Sequence, residues 1–333
     1  MFESLKNSPR LLLEQELRPI QGHRFQPTGF ADLGAADYRL HDGRRMLLVE
    51  SAQSCANHLE QTCLAGSGPD IAPELAGLPY VKAKLEGASD AETSSLIEAH
   101  RINSPFIISD PGFQTAFLKL SSYEKGKPID WKKAAAALFH FDPNALLHGV
   151  FMANLLDGRM RFPRAITGFV EASDVIEAVS GGVKNNPLDP TGKIRAKSYD
   201  KDVYSNVPYP RMEYTAASIN AYFNLDLALI AGYGLPYPAC ELLVALALLK
   251  VRRFLASGLR LRTACDLTPS RQMDVTAPRG FAVPDEEALL VKVQNGIRAC
   301  TSAGLFADPP VTVITCPVVV KADKDKKETP SAA

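Results

Sequence analysis

The chain has 333 residues, of which 37 are basic and 37 acidic, so its formal net charge is zero. This excludes a protein that coats nucleic acid through uniform positive charge, although it leaves room for local basic patches. With 46% hydrophobic and 22% charged residues, the composition is that of a folded protein with one large domain or two ordinary ones.

The apolar segments favour a cytoplasmic protein without a membrane partner. Near the N-terminus only Leu11–Leu13 form an apolar run, which is far shorter than the core of a signal peptide. The longest apolar run, at 242–249, is followed at once by Lys250, Arg252 and Arg253. We therefore expect a buried helix there and not a membrane span.

The cysteines and histidines show no metal-ligand spacing. There is no CxxC pair, and the six histidines are scattered along the chain. We expect reduced thiols, no disulfide framework, no structural zinc or other metal, and no cofactor. The cysteines are Cys55, Cys63, Cys240, Cys265, Cys300 and Cys316.

The first half of the chain predicts two buried strands, at 11–20 and 46–49, and then a helix over 51–64 that Ser51 can cap. From 65 to about 129, glycines and prolines break the pattern into short pieces. We interpret this segment as an insertion of short strands and turns outside the main core. Helices are predicted over 131–139 and 144–156, and a strand over 165–171.

The second half contains the most loop-like segment, 180–211, with four prolines and three glycines. It is predicted to be a long projecting loop or hairpin with a functional role. Strand-like character follows over 212–229, then a helix over 240–255, a strand over 259–267, a helix over 285–301 and a strand over 311–319. The charged tail, 321–333, is expected to be disordered.

This order of elements predicts an α+β fold in which helices pack on a mainly antiparallel sheet, with two long excursions. A doubly wound dinucleotide-binding fold fits the order less well.

The common catalytic signatures are absent, because the sequence contains no P-loop, HExxH, GxSxG or GxGxxG motif. His23, beside Arg24 in a predicted loop, is a candidate for RNA cleavage, but no second titrating group lies close to it in sequence. Asp32 has neighbouring carboxylates at Asp37 and Asp42, but their spacing is typical of turns and not of metal sites. We predict a protein that is not an enzyme.

Basic patches carry more information than the total charge. Arg159, Arg161 and Arg164 lie within six residues. Segment 250–271 has six basic residues against one acidic residue, and 184–211 has six against three, interleaved with tyrosines. Cations beside aromatic rings suit a single-stranded nucleic acid. A merely solvated charged face stays an open alternative for 184–211, and for 250–253 we favour charges that end an apolar helix.

Two short motifs add to this interpretation. RFQPTGFADLG at 24–34 places a cation, an amide and two glycines in a loop, where backbone N–H groups can approach a phosphate. ESAQSCANHLE at 50–60 clusters polar side chains at a helix N-terminus, an end of the helix that binds anions. A purely capping role for Ser51 stays equally open.

These motifs carry a resemblance to a known family. RFQPTGFADLG and LLVESAQSCANHLE (47–60) resemble the crRNA-binding backbone subunit of the type I-U, or I-G, CRISPR Cascade complex, a member of the RAMP superfamily. Similar stretches are AHRINSPFI at 99–107, LLHGVFMANL at 146–155, RMRFPRAITGFVEA at 159–172 and NVPYPRMEYT at 206–215. The resemblance spans about 10–320. It would place Met at 55 and Arg at 58, where this chain has Cys55 and His58.

The resemblance implies an RRM-like (ferredoxin-like) palm with an antiparallel sheet and with finger and thumb insertions. The palm would comprise 1–64, 131–179 and 212–320, the finger-like insertion 65–130 and the thumb-like loop 180–211. Copies would stack along one guide RNA, and sequence specificity would belong to the guide. The expected guide-RNA contacts are Arg18, Gln21, Arg24, Gln26, Ser51, Gln53, Ser54 and Asn57, with Arg159, Arg161, Arg164, Lys193, Arg195, Arg211, Tyr204 and Tyr209 as weaker candidates.

The implied partners are crRNA, target DNA reached through the guide, other copies of the chain, and the large subunit and the fused end-cap and processing subunit of Cascade. A recruited helicase-nuclease is also implied. The alternative within the same superfamily is an RNA endonuclease that uses His23 on guide RNA or Asp32 on target RNA.

Overall fold

The strand β1 (Arg10–Pro19) buries every second residue from Leu11 to Leu17 and leaves the residues between them more exposed, the pattern of a strand with one face on a core. The computed structural model describes residues 4–30, 32–87, 91–188 and 207–318. The other strands within those ranges are β2 (Gly29–Phe30), β3 (Gly34–Ala35), β4 (Asp37–Arg39), β5 (Arg45–Glu50), β6 (Tyr80–Glu86), β7 (Glu92–Ser94), β8 (Val150–Phe151), β9 (Arg161–Phe162), β10 (Ile166–Ser173), β11 (Ile176–Lys184), β12 (Val207–Thr215), β13 (Ser218–Asp226), β14 (Arg260–Arg262), β15 (Cys265–Pro269), β16 (Asp274–Ala277) and β17 (Val311–Pro317).

Most helices start where a side-chain oxygen accepts a hydrogen bond from the first turn, as Ser51, Asp110 and Asp285 do. Among the described residues, none of the helices has both the length and the apolar character of a membrane span. The helices are α1 (Ala52–Gln61), α2 (Pro105–Ile108), α3 (Pro111–Ser121), α4 (Trp131–Phe141), α5 (Pro143–His148), α6 (Leu227–Gly232), α7 (Tyr237–Ala256) and α8 (Glu286–Ser302).

The main sheet has the strand order β14-β15-β1-β13-β10-β5-β4, and β16 also pairs with β1. All of its pairings are antiparallel. Helix α1 packs against β10, helix α7 packs against β13 and α1, and α8 packs on α7. The predicted α+β fold with an antiparallel sheet and a buried helix after Cys240 is therefore confirmed.

The segment 65–130 contributes to the main core, contrary to our prediction. It contains the helices α2 and α3, and its strand β6 pairs in parallel with β17 and antiparallel with β7. Buried side chains such as Val81, Ile107 and Phe113 belong to the same hydrophobic core as the main sheet. The glycines and prolines obscured the helical spacing of Phe113 and Phe117, both buried on α3.

The predicted helix over 144–156 is wrong after His148. Gly149 has a φ of +77°, which ends α5, and the chain turns into β8, paired with β9. A Cβ at position 149 would lie 3.0 Å from the backbone nitrogen of Arg164. The turn therefore brings the chain after His148 against the segment that precedes β10.

The predicted loop or hairpin over 180–211 is, in its described part, a two-stranded antiparallel ribbon of β11 and β12. The ribbon begins at Ile176, earlier than predicted, and the predicted strand over 212–229 is divided between β12 and β13. Lys193, Arg195 and Tyr204 lie outside the described residues, as does the tail over 321–333.

Candidate nucleic-acid interface

The loop after β1, residues 20–28, is here called the first loop, and it is hydrogen-bonded to the base of the β11–β12 ribbon. Phe25 is buried and exchanges two backbone hydrogen bonds of 2.9 Å with Tyr214. The Arg24 guanidinium lies 3.5 Å from the Glu213 carboxylate. Two segments predicted separately as binding elements, the first loop and the ribbon, are therefore neighbours.

This loop lines a cavity of about 480 Å³, here called the first-loop cavity. Gln21, His23 and Arg24 line it together with Glu213 and Asp266. Arg18 is exposed on β1 opposite Thr268 and is not part of the cavity wall. The cavity thus brings together two of the four residues predicted in this region, beside two carboxylates.

A buried ion pair connects the first loop with helix α1. Arg262 donates to the backbone carbonyl of Gln26 at 3.2 Å and also to the carboxylate of Glu50, which is fully buried. Burial raises the pKa of Glu50, but hydrogen bonds from His58 and Ser54 and the charge of Arg262 together hold that pKa below its ordinary value. The His58 Nε2 lies 3.4 Å from the Glu50 Oε1, so His58 is a neighbour of this buried carboxylate.

The predicted residues at the start of α1 therefore have different roles. The Ser51 Oγ accepts from the Ser54 amide at 3.2 Å, so Ser51 caps the helix. Gln53 and Asn57 are exposed, and the Gln53 Nε2 donates to the Asn57 Oδ1 at 3.2 Å. Gln53 and Asn57 are therefore the more exposed of the four predicted residues, whereas Ser51 and Ser54 are half-buried.

Arg164 joins this helix to the basic cluster before β10. Its Nη1 donates to the Ala52 carbonyl at 3.3 Å, and its Nη2 donates to the Gln53 Oε1. Among the described residues, no carboxylate forms an ion pair with Arg164. Burial lowers its pKa, and the charge of Arg101 lowers the pKa further. A half-buried guanidinium with only neutral acceptors is a site where an anion binds favourably.

The other two arginines of the cluster differ from each other. The Arg161 guanidinium lies over the ring of Phe151, 4.4 Å from its centroid. Arg159 instead pairs with Asp157 at 2.7 Å and donates to the Lys127 carbonyl at 2.8 Å. Arg161 and Arg164 line a cavity of about 670 Å³, the Arg164 cavity, and Arg159 does not.

A second cavity of about 720 Å³, the α1 cavity, is lined by Gln53, Asn57 and Glu60. Ala99 and Arg101 form part of the wall of both cavities. The Arg164 cavity and the α1 cavity adjoin at these two residues and are together called the candidate groove, which is lined mainly by α1 and by the turns around residues 96–103 and 149–164.

Sequence reasoning missed Arg101, which lies at the centre of the candidate groove. Its Nε and Nη2 bind the two carboxylate oxygens of Glu60 at 2.5 and 2.8 Å, and its Nη1 donates to the Gly149 carbonyl at 3.1 Å. The residue lies in AHRINSPFI, a stretch that carried the resemblance, but no charge cluster in the sequence drew attention to it.

Lys250 was also misinterpreted as a charge that ends the apolar helix, because α7 continues to Ala256 and Lys250 is buried within it. It is 1% exposed, and its Nζ lies 2.9 Å from the Nε2 of the buried His148. Burial lowers the pKa of His148 well below its ordinary value, and Lys250, Arg101 and Arg164 lower it further. Burial raises the pKa of Asp142, in the same region, to about 6. A lysine directly after an eight-residue apolar run was the available signal.

The predicted ribbon residues Tyr209 and Arg211 line none of these cavities. Tyr209 is 50% exposed and Arg211 half-buried, and the two share one face of β12 because they are two residues apart. Neither lines the candidate groove. Across the described ranges, no group of three or more histidine, cysteine or acidic side chains is placed to hold a metal ion, and all six cysteines are buried free thiols.

Residues 11–177 match the family of CRISPR-associated protein GSU0053. The chain belongs to this family. The match includes the first loop, α1 and the residues described in the candidate groove, whereas Lys250, Arg262 and the ribbon strand β12 lie outside it. The chain is therefore a CRISPR-associated protein.

Comparisons with curated proteins and with solved structures give less specific information than the family match. No curated protein matches the sequence. Among solved structures, a chain of a "CRISPR RNA-guided surveillance complex, pre-nicking" is similar over 89% of this chain and 89% of that chain, with a TM-score of 0.39 and 13% sequence identity.

Proposed function

We propose that this protein is a non-catalytic, guide-RNA-binding backbone subunit of a type I CRISPR interference complex, of subtype I-U (I-G). Several copies stack along one crRNA in the cytoplasm and present it for pairing with target DNA. The partners are those that the resemblance implies: the guide, target DNA, further copies, the other Cascade subunits and a recruited helicase-nuclease.

The family supports the role in CRISPR defence, and the topology supports an RRM-like palm. Along the chain the elements β1, α1, β10, β13, α7 and β15 follow the order β-α-β-β-α-β, and the four strands lie in the spatial order β15-β1-β13-β10. This order supports the proposed ferredoxin-like core. The segment 65–130 and the β11–β12 ribbon are the proposed finger and thumb.

The observation that carries the RNA-binding part is the position of Arg164. Through its bonds to Ala52 and Gln53 it joins the polar start of α1 to the basic cluster before β10. The resulting surface has cations without carboxylate partners in its described part, amide side chains and an aromatic ring. Phosphates bind to such cations, and bases stack on such rings.

The test is fluorescence anisotropy with a guide-length single-stranded RNA across a salt series, combined with light scattering. We expect several protein copies per RNA and a strong salt dependence. Arg164→Ala and Arg24→Ala are expected to weaken binding. Arg298→Ala is the matched control, because Arg298 lies on α8 and lines none of the described cavities. Absence of RNA binding at low salt would contradict the proposal.

One observation favours the alternative, a RAMP-type RNA endonuclease. His23 lines the first-loop cavity together with Glu213 and Asp266, titratable residues that are distant from His23 in sequence. A histidine near carboxylates is an arrangement used for general acid–base cleavage of RNA. Asp32, the other candidate, is exposed and does not line this cavity. A cleavage assay separates the two functions.

A further inference from the structure

The Arg164 cavity differs from an ordinary charged surface because the positive charges around it outnumber the negative ones. The cations in or directly behind its wall are Arg101, Arg161, Arg164 and Lys250, and the nearby carboxylates are Glu60 and Asp142. Of these cations, Arg101 is the one with a bidentate carboxylate partner. The surroundings of this cavity, whose volume is about 670 Å³, therefore have an excess of positive charge.

The two arginines on the inner wall retain hydrogen-bond donors. A guanidinium has five N–H donors. The described bonds of Arg164 go to Ala52 and Gln53, and those of Arg101 go to Glu60 and Gly149. Because both side chains are held by these bonds, their remaining donors have fixed directions, as tetrahedral oxyanion recognition requires.

Lys250 adds positive potential from the inside of the protein. Its charge reaches the cavity wall through His148, which lies between Lys250 and the cavity. The imidazole is neutral at pH 7, because burial and the surrounding cations depress its pKa. A buried charge is screened less than an exposed one, so it acts on an anion in the cavity even without contact.

The cavity wall includes an aromatic side chain. Phe151 is 44% exposed, and the Arg161 guanidinium lies over its ring, 4.4 Å from the ring centroid. An aromatic ring paired with arginine is a stacking platform for a nucleobase. The cavity volume lies within the range of pockets that hold small organic ligands.

We infer that the Arg164 cavity is a site for a single nucleotide unit, with its phosphate group bound by Arg101 and Arg164 and its base stacked at Phe151 and Arg161. This inference deepens the proposed function. It rests on that function only for the source of the bound nucleotide, which is then one unit of the guide RNA. The site itself requires only a phosphate and a base, so free mononucleotides also occupy it.

The experiment is a titration of the full-length chain with adenosine 5′-monophosphate, ribose 5-phosphate and adenosine, up to about 10 mM, followed by thermal shift and calorimetry. We expect binding of both phosphates, with the nucleotide bound more tightly, and no binding of adenosine. Arg164→Ala is expected to abolish binding of both adenosine 5′-monophosphate and ribose 5-phosphate. Arg164→Lys keeps the positive charge and is expected to bind both compounds more weakly than the wild type.

Phe151→Leu separates the two halves of the site. It is expected to weaken binding of the nucleotide about tenfold and to leave ribose 5-phosphate unchanged, because only the nucleotide has a base to stack. Arg298→Ala is the charge-matched control and is expected to behave as the wild type. Far-ultraviolet circular dichroism of each variant confirms that it is folded.

The inference would be overturned if wild type and Arg164→Ala bound adenosine 5′-monophosphate and ribose 5-phosphate equally well. It would also be overturned if the folded wild type bound neither compound. The guide-length RNA assay distinguishes this failure from that of the proposed function. If RNA binds and mononucleotides do not, the cavity is not a nucleotide site and the backbone function stands. If mononucleotides bind at Arg164 and RNA does not, the site stands and the proposed function fails.

Discussion

Arg164 donates a hydrogen bond to Gln53, a residue 111 positions earlier in the chain. The contact orients the guanidinium over the start of α1, because the Arg164 Nη1 also bonds the Ala52 carbonyl. This hydrogen bond therefore connects helix α1 with the basic cluster before β10, two proposed binding elements that are far apart in sequence. Its contribution to the free energy of RNA binding can be measured.

We expect Gln53→Ala and Arg164→Ala each to weaken binding of guide-length RNA, with losses that do not add. In the absence of the arginine, Gln53 has nothing to orient, so the double variant loses less than the two single variants together. The coupling energy is expected to be about 1 kcal/mol. Anisotropy titrations of the four proteins measure it, and strictly additive losses would show that the contact has no role in binding.

Arg161 and Arg159 are expected to differ in their effect on the salt dependence of RNA binding. Arg161→Ala removes a cation without a carboxylate partner among the described residues, so the slope of log K against log salt is expected to fall by about one. Arg159 is already paired with Asp157 at 2.7 Å, so Arg159→Ala is expected to leave the slope unchanged. Equal slopes for the two variants would be inconsistent with phosphate contact at Arg161.

Gly168 is expected to tolerate no side chain. A Cβ on this residue of β10 would lie 2.7 Å from the Cδ1 of Phe223 and 2.9 Å from the Sγ of Cys55, both in the core. Gly168→Ala is therefore expected to lower the free energy of unfolding by about 1–3 kcal/mol through overpacking. Gly182→Ala, on β11, has no atom within 4 Å of its Cβ and is the control. Urea denaturation compares the two, and a Gly168→Ala variant as stable as the control would refute the packing argument.

Asp142 is expected to make stability depend on pH. Burial raises its pKa from 3.8 to about 6 in the folded protein. The folded state therefore binds more protons than the unfolded state between these pH values, and this contribution to stability is lost as the pH rises through 6. Asp142→Asn removes the ionisation, so relative to wild type it is expected to gain up to about 3 kcal/mol between pH 4 and pH 7.

Urea denaturation across this pH range provides the measurement. Asp70→Asn is the control of opposite sign, because the hydrogen bond with Lys82 holds the pKa of the Asp70 carboxyl below its ordinary value. That variant is expected to lose stability relative to wild type as the pH rises. Parallel pH profiles for wild type and Asp142→Asn would mean that the buried carboxyl has an ordinary pKa.

We expect no cleavage of guide-length or target RNA by the purified protein, with or without Mg²⁺. Product that disappears in His23→Ala would assign catalysis to the first-loop cavity, and product that disappears in Asp32→Ala would assign it to the loop after β2. Either result would replace the backbone function with the endonuclease alternative. Product that persists in both variants would indicate a contaminating nuclease.

Elements with a strong local pattern were predictable from sequence. The apolar segment bounded by Pro9 and Pro19 predicted a buried strand, which is β1, and the apolar run of α7 predicted a buried helix. Ser51 was predictable as a possible cap because capping depends on neighbours within one turn. Composition and motif similarity also determined the class of protein.

Only the tertiary structure decided which residues form the candidate site. Arg101 and Phe151 gave no local signal, because their roles depend on a turn at Gly149 and on pairing of β8 with β9. Likewise Lys250 is a surface charge by sequence and a buried one in the fold, since His148, 102 positions away, provides its partner. Local patterns determine secondary structure because they act within a few residues, whereas a binding site depends on contacts between distant segments that only the folded core brings together.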